Sequence, residues 1–293
     1  MKKLSNNQLL YTALIIKLTE ELYNNADSEM KEAYKEIKNS RDELLNDISN
    51  ILLTYTITDS VLDINKGDRD KLYKNLSAKI DNMFSKEGKK ENKLVQQIIK
   101  STAKDKNGIN NYITSIGLDF KHTKISNKDL DKIINKTISG KNYSDRIWDN
   151  KEELAKIVKA DIKKFLNGEI DVNSISKKIK ERYNTNAYVS KRLVTTEVAR
   201  VMEESNELWR EQHNIEYVMY CATLDSKTCD DCAKYDGKVY KVGEEPVKLP
   251  QHPLDRCTYI SLPSKEWRPK TRLDNKTKEN INYKTYKEWL NDN

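Results

Sequence analysis

Met30, Ala33, Tyr34, Ile37, Leu44, Leu45, Ile48, Ile51, Leu52 and Tyr55 recur at three- and four-residue spacing. That period places them on one face of an α-helix and leaves the opposite face to water. It predicts one long amphipathic helix, with Asp27 or Ser28 as the N-cap. A second stripe runs Leu72, Tyr73, Leu76, Ile80, Met83, Phe84, and a shorter one Leu94, Val95, Ile98, Ile99. Between and after them, SKEGKKEN (85–92) and STAKDKNG (101–108) are polar and contain helix breakers, so they read as connections.

More helix follows. Ser126 and Asp129 form a loose capping signal before LDKIINKTIS, which stops at Gly140. Asn150, ahead of Glu152 and Glu153, is expected to cap a helix bearing Leu154, Ile157, Val158, Ile162 and Phe165, with Gly168 ending it. A short helix is expected from Ser174 to Tyr183 and a longer one from about 186 to 212. Near residue 214 the texture changes. IEYVMYCATL is rich in β-branched and aromatic residues, and KVYKV follows a DG turn signal. The last thirty residues carry eight Lys/Arg against five Asp/Glu and end in YKTYKEWL.

The expected fold class is therefore α+β, predominantly α: long amphipathic helices, then a small β-containing, zinc-stabilised C-terminal module. The expected divisions are a helical N-terminal region (1–140), a second helical part (141–213), a β-rich Cys/His module (214–263) and a charged tail (264–293).

Charged residues make up 34% of the chain and the mean hydropathy is −0.86, values of a heavily solvated protein. The net charge of +7 permits contact with a phosphate backbone, although a lysine-rich solvated surface gives the same excess. The most apolar early stretch, LLYTALIIKL (9–18), is about half a membrane span and contains Lys17. It also lacks the pattern of a signal peptide. Folding in a reducing cytoplasm is expected, where clustered cysteines more often bind metal than form disulfides.

Three of the four cysteines and one of the three histidines fall in a short span. Cys229 and Cys232 form C-x2-C; after nineteen intervening residues comes His252, and after four more Cys257. A close first pair with a second pair on a later turn suits a tetrahedral structural zinc site. Such a set leaves no open position for an activated water. Buried cysteines without metal remain an alternative, and so does a nucleophilic cysteine using His252, or His122 or His213 brought in by folding. Cys221, in an alternating apolar stretch, reads as core. Asp225, Asp230, Asp231 and Asp236 could hold magnesium, but DSKTCDDC and DGK also read as turn chemistry.

In RLVTTEVAR (192–200), Arg192, Thr196 and Arg200 share one helical face. Glu197 falls instead beside Leu193, Val194 and Val201. A carboxylate there needs a partner, either Arg200 one turn on or a donor from the β unit, unless it lies at the solvated edge of the stripe.

The order RLVTTEVAR, CATLDSKTCDDCAKYDGKVY, LPQHPLDRCTYISLP resembles the phage Mu F-like family of head morphogenesis, or minor capsid, proteins. That family's pattern is an R-x3-TE helix, a strand, D-x-x-T-C-x-x-C, a DG turn and P-x-HP-x-x-R-C. Arg192, Thr196, Glu197, Asp225, Thr228, Cys229, Cys232, Asp236, Gly237, His252, Pro253, Arg256 and Cys257 match it. The resemblance covers about 143–290. Many relatives carry an extra cysteine where this chain has Asp255, and relatives vary in which cysteines they keep.

The resemblance implies a non-enzymatic minor capsid protein that associates with the phage portal protein inside the procapsid. It implies contacts with capsid or scaffolding protein, support for DNA packaging or delivery, and a place in the virion after synthesis in the host bacterial cytoplasm. Sequence-independent contact with double-stranded DNA is also implied, with Lys265, Arg268, Lys270 and Arg272 as candidates against an ordinary solvated tail. A stand-alone zinc-containing nucleic-acid-binding protein is the second reading, and a metal-dependent hydrolase the third.

Overall fold

The polar interruptions between the apolar stripes do not break the helices. The computed structural model describes residues 6–115 and 121–292. In order, its elements are α1 (Asn6–Glu29), α2 (Lys31–Thr54), β1 (Thr56–Thr58), β2 (Val61–Asp63), α3 (Lys66–Ser115), α4 (Asn127–Asn135) and α5 (Tyr143–Leu166). Then come α6 (Val172–Gln212), β3 (Tyr217–Cys221), α7 (Asp230–Ala233), β4 (Val239–Lys241), β5 (Thr258–Leu262), β6 (Thr271–Leu273), β7 (Asn280–Asn282) and α8 (Tyr286–Asn291). The fold is α+β and predominantly helical, as the patterning predicts.

Contacts divide the chain into two units: one of 27–96 and 137–193, the other of the described residues within 1–26, 97–136 and 194–293. The first is helical, with α2, α3, α5 and α6 around Leu44, Ile48, Ile80, Val158, Ile162, Phe165, Ile175 and Ile179. The hairpin β1–β2 belongs to it. Asp59 and Ser60 at its tip both have positive φ, the turn geometry that matches strand twist.

Both expected connections in α3 are corrected, because α3 is one 50-residue helix. In 85–92 Glu87 and Glu91 face inward, while Lys86 and Lys89 stay in solvent. Lys151 on α5 lies 2.8 Å from Glu91 and 3.3 Å from Glu87. Asn186 on α6 accepts from Lys151 and donates to Glu87, and Ser190 donates to Glu91. Gly88 is there for space: a Cβ would come within 2.6 Å of the Trp148 ring. The same network explains why α6 does not break near 184–185 as expected, since Asn186 and Ser190 are buried on its inner face.

The capping expectations divide. Ser126 does cap α4, accepting from the Asp129 N–H, and α4 ends at Asn135, ahead of the Gly140 turn. Gly168, with φ +74°, does end α5, with Gly168 N–H to Phe165 O and Glu169 N–H to Lys164 O. Asn150 is not a cap. It lies inside α5, which starts earlier under a capping box of Asn142 and Asp145. Nor do Asp27 and Ser28 start α2, since they are the last turn of α1, and α2 begins after a buried Met30 with no side-chain cap.

In the other unit, β4-β3-β5 form an antiparallel sheet with β3 central. Strand alternation sends Val218 and Tyr220 to one face, against Ala222, Leu224, Tyr259, Tyr286 and Trp289. Met219 and Cys221 go to the other, where Ile15 of α1 and Ile113 of α3 cover them with Ile260 and Leu262. Cys221 is core, as expected. The solvated tail expected after Pro263 is replaced by β6, β7 and α8, whose Tyr286 and Trp289 lie inside the core.

In 101–108 Thr102, Lys106 and Asn107 face inward; Lys106, 1% exposed, donates to Thr19 on α1 at 2.9 Å. Burial pushes its ammonium down to about 8. The folded state thus disfavours the charge. The penalty is complete below pH 8 and fades as pH rises towards the unfolded value of 10.5. We expect Lys106→Met to stabilise the protein at neutral pH. In urea unfolding, its advantage over wild type should shrink by about 3 kcal/mol between pH 8 and 10.5. A pH-independent difference would refute this.

Candidate metal centre

The loop after β3 brings the first pair of thiols together. Thr228 donates to the Thr223 carbonyl at 2.5 Å, closing the loop just before Cys229. Cys229 is the N-cap residue of the single turn α7, with Cys232 and Ala233 N–H groups bonded to its carbonyl. One helical turn puts positions i and i+3 side by side, so both sulfurs face the same point.

His252 meets them from the 247–257 segment. Its Nε2 is 3.4 Å from Cys229 Sγ and 3.4 Å from Cys232 Sγ, while Nδ1 lies 3.0 Å from the Pro253 carbonyl. A tetrahedral ion bound by sulfur at ~2.3 Å and imidazole nitrogen at ~2.0 Å requires an S···N separation of roughly 3.5 Å. The three groups therefore fit one ion. Cys232 also belongs to a second cluster, with Asp255 and Cys257, in which the ligand atoms lie within 4.8 Å of one another. Cys232 is common to both; Cys257 is not grouped with Cys229 and His252, so the four expected ligands do not form a single cluster.

The electrostatics suit a thiolate. Cys232 is pushed down to about 5, first because the Cys257 thiol donates to its sulfur. Cys257 is correspondingly raised. Burial raises Cys229, and the Pro253 carbonyl raises His252 by accepting from the ring.

The neighbouring carboxylates are engaged elsewhere. Asp225 pairs with Arg256 and accepts from the Lys227 N–H, and Asp231 pairs with Lys234. Asp236, beside Gly237 with φ +75°, accepts from the Ala222 and Tyr286 N–H groups and from Arg272 at 2.9 Å. Among the described residues the two metal-capable groups contain Asp255 but none of Asp225, Asp230, Asp231 and Asp236. His213 does not join the cysteines, since it stacks on Trp209 and its ring nitrogens face the Trp209 and Lys121 carbonyls.

Glu197 is buried and paired with Arg200, whose Nη1 also donates to the Ile133 carbonyl near the end of α4. Thr196 Oγ1 accepts from the Leu254 N–H at 3.2 Å, so the TE helix touches the ligand loop directly. Arg192 lies on the exposed face of α6.

Residues 155–260 match the family described as Phage Mu protein F like protein. No curated protein and no solved structure matches the chain. The Mu F-like segment contains the TE helix, Asp225, Thr228, Asp236, Gly237, Pro253, Arg256 and all four candidate ligands. Portions of the expected 143–290 resemblance fall outside it, among them Arg272.

Two residues of this region were missed in the sequence. Asp255 is 3% exposed beside the thiols, and only its place opposite a family cysteine marked it. Arg272 was read as a surface DNA contact. That reading is corrected: it is fully buried, and besides Asp236 it donates to the Ala222 and Lys284 carbonyls. Lys265, Arg268 and Lys270 are exposed.

Arg272→Leu would leave Asp236 buried without its counter-charge, and urea unfolding should show a loss of about 3–5 kcal/mol. Arg272→Lys, lacking the planar fork, should recover only part of it. Pairing Arg272→Leu with Asp236→Asn, which removes the unpaired charge but keeps a side-chain oxygen to accept from backbone N–H, should cost less than Arg272→Leu alone. An equal or larger loss would show that the ion pair is not the source.

Proposed function

We propose that this protein is a head-morphogenesis protein of a tailed bacteriophage, a minor capsid component that associates with the portal protein inside the procapsid. The match of 155–260 to the Mu F-like family carries this reading. The protein is made in the bacterial cytoplasm and ends in the virion, in contact with portal and with capsid or scaffolding protein. No described helix is long and apolar enough to cross a membrane.

Cys229, Cys232, His252 and Cys257 hold a structural zinc ion. The ion neutralises the Cys232 thiolate and pins the α7 loop to the 247–257 segment. Four protein ligands leave zinc no open position for substrate, so the centre is a scaffold and the protein is not an enzyme. The engagement of Asp225 and Asp236 by arginines supports the same conclusion. Contact with double-stranded DNA during packaging or delivery runs through Lys265, Arg268 and Lys270 and is sequence-independent and salt-sensitive.

The test is co-expression with the portal protein of the same phage, followed by sedimentation of the portal ring and elemental analysis of the untagged protein. We expect co-sedimentation and about one zinc per chain. Failure to bind the ring, with salt-dependent retention on DNA, would replace the capsid reading with a free-standing nucleic-acid-binding protein. Magnesium-dependent DNA cleavage lost in Asp225→Ala would make it an enzyme. Less than about 0.2 zinc per chain would remove the metal.

A further inference from the structure

We propose that Asp255 is the positioning residue of this centre. Its carboxylate clamps both ends of the 251–257 loop and aims His252 and Cys257 at Cys229 and Cys232, without binding the metal itself. This rests on the reading of the centre as a zinc site.

Both oxygens of Asp255 are already used. Oδ2 accepts from the Gln251 N–H at 2.8 Å and Oδ1 from the Cys257 N–H at 2.9 Å. Those two amides bracket the loop, so one buried side chain fixes its entry and its exit. The Asp255 N–H donates to the His252 carbonyl at 3.2 Å, making the turn that places the histidine. From outside the loop, Tyr23 donates to the Asp255 carbonyl and Thr196 accepts from the Leu254 N–H.

These bonds hold the loop against local preference. Leu254 sits at φ +65° and is 39% exposed, a conformation unfavourable for a branched residue and one with little apolar burial to offset it. The clamp offsets it instead.

Hydrogen bonding separates a clamp from a ligand: Asp255 shares a metal-capable group with Cys232 and Cys257, but both its oxygens already accept backbone N–H groups. Oδ1 lies 4.0 Å from Cys232 Sγ, whereas His252 Nε2 lies 3.4 Å from it. A buried carboxylate is costly unless it is hydrogen-bonded, and two charge-assisted N–H bonds provide that.

The experiment compares wild type with Asp255→Asn and Asp255→Glu by cobalt(II) titration, with zinc competition giving the affinity. Asn keeps one acceptor but turns an amino group towards the second amide; Glu keeps the charge and moves it. We expect both to weaken binding by about 10–100-fold, with the sulfur-to-cobalt charge-transfer bands unchanged per bound ion. In metal-loaded wild type, slow hydrogen exchange is expected at the Gln251 and Cys257 amides, a readout that needs no variant to fold.

Wild-type affinity in Asp255→Glu would mean that nearby charge suffices, and in Asp255→Asn that the second bond is idle. Either overturns the clamp. Altered bands in Asp255→Asn would make Asp255 a ligand, and fast exchange at either amide would also overturn the proposal. A wild type that binds no cobalt or zinc would instead sink the metal reading on which this one stands.

Discussion

The β-rich part of the molecule depends on one buried ion pair, Arg272 with Asp236, whose side chains are 0% and 1% exposed. Asp236 sits in the DG turn between α7 and β4. Arg272 lies on β6, outside the sheet that the turn serves. Around the pair converge the end of β3 through Ala222, the start of α8 through the Tyr286 N–H, and the Lys284 carbonyl before it. The Tyr283 ring lies under the guanidinium. A buried pair is poor evidence of net stability, because desolvation opposes it. Here it specifies arrangement instead. The loop bearing Cys229 and Cys232 leaves from Ala222 and returns at Asp236, so the pair fixes both of its ends.

The same device recurs in the helices, and it accounts for most of what the sequence concealed. Glu87 and Glu91 with Lys151, Glu197 with Arg200, and Glu203 with Arg210 all lie inside the protein. A pattern of apolar residues registers such positions as interruptions. The stretches 85–92 and 101–108 therefore look like connections although their backbone never leaves the helix. What identifies them as core is a partner on another element, Asn186 for one and Thr19 for the other, and sequence spacing holds no record of that. The hairpin at 56–63 was not read from the sequence, because TIT and VLD are each only three residues long.

At the candidate site the division follows the same physical line. Cys229, Cys232, His252 and Cys257 are close in sequence, and ligand spacing is a local property. Their nearness to Cys232 was therefore readable from the chain alone, whereas the separation of Cys257 from Cys229 and His252 was not. The need of Glu197 for a partner was readable too, because its place on an apolar helical face demands one, and Arg200 is three residues away. Arg272 was not. Its role depends on a strand thirty-six residues beyond the turn it neutralises, and in sequence it is one more cation in a basic segment. Asp255 escaped for another reason. It acts on backbone amides within its own loop, and no pattern of side chains signals that.

This separation of roles alters what the metal is needed for. Fifty isolated residues with a zinc knuckle would lean on the ion for their fold. The sheet does not stand in that position. One face is covered by Tyr286 and Trp289 from α8, the other by Ile15 from α1 and Ile113 from α3. The core is thus completed by segments far outside the Cys/His stretch. The ligands hang on its rim, in the α7 loop and the 247–257 segment, where Cys229 is exposed and Cys257 only partly covered. An ion there would join two loops to each other rather than complete the core.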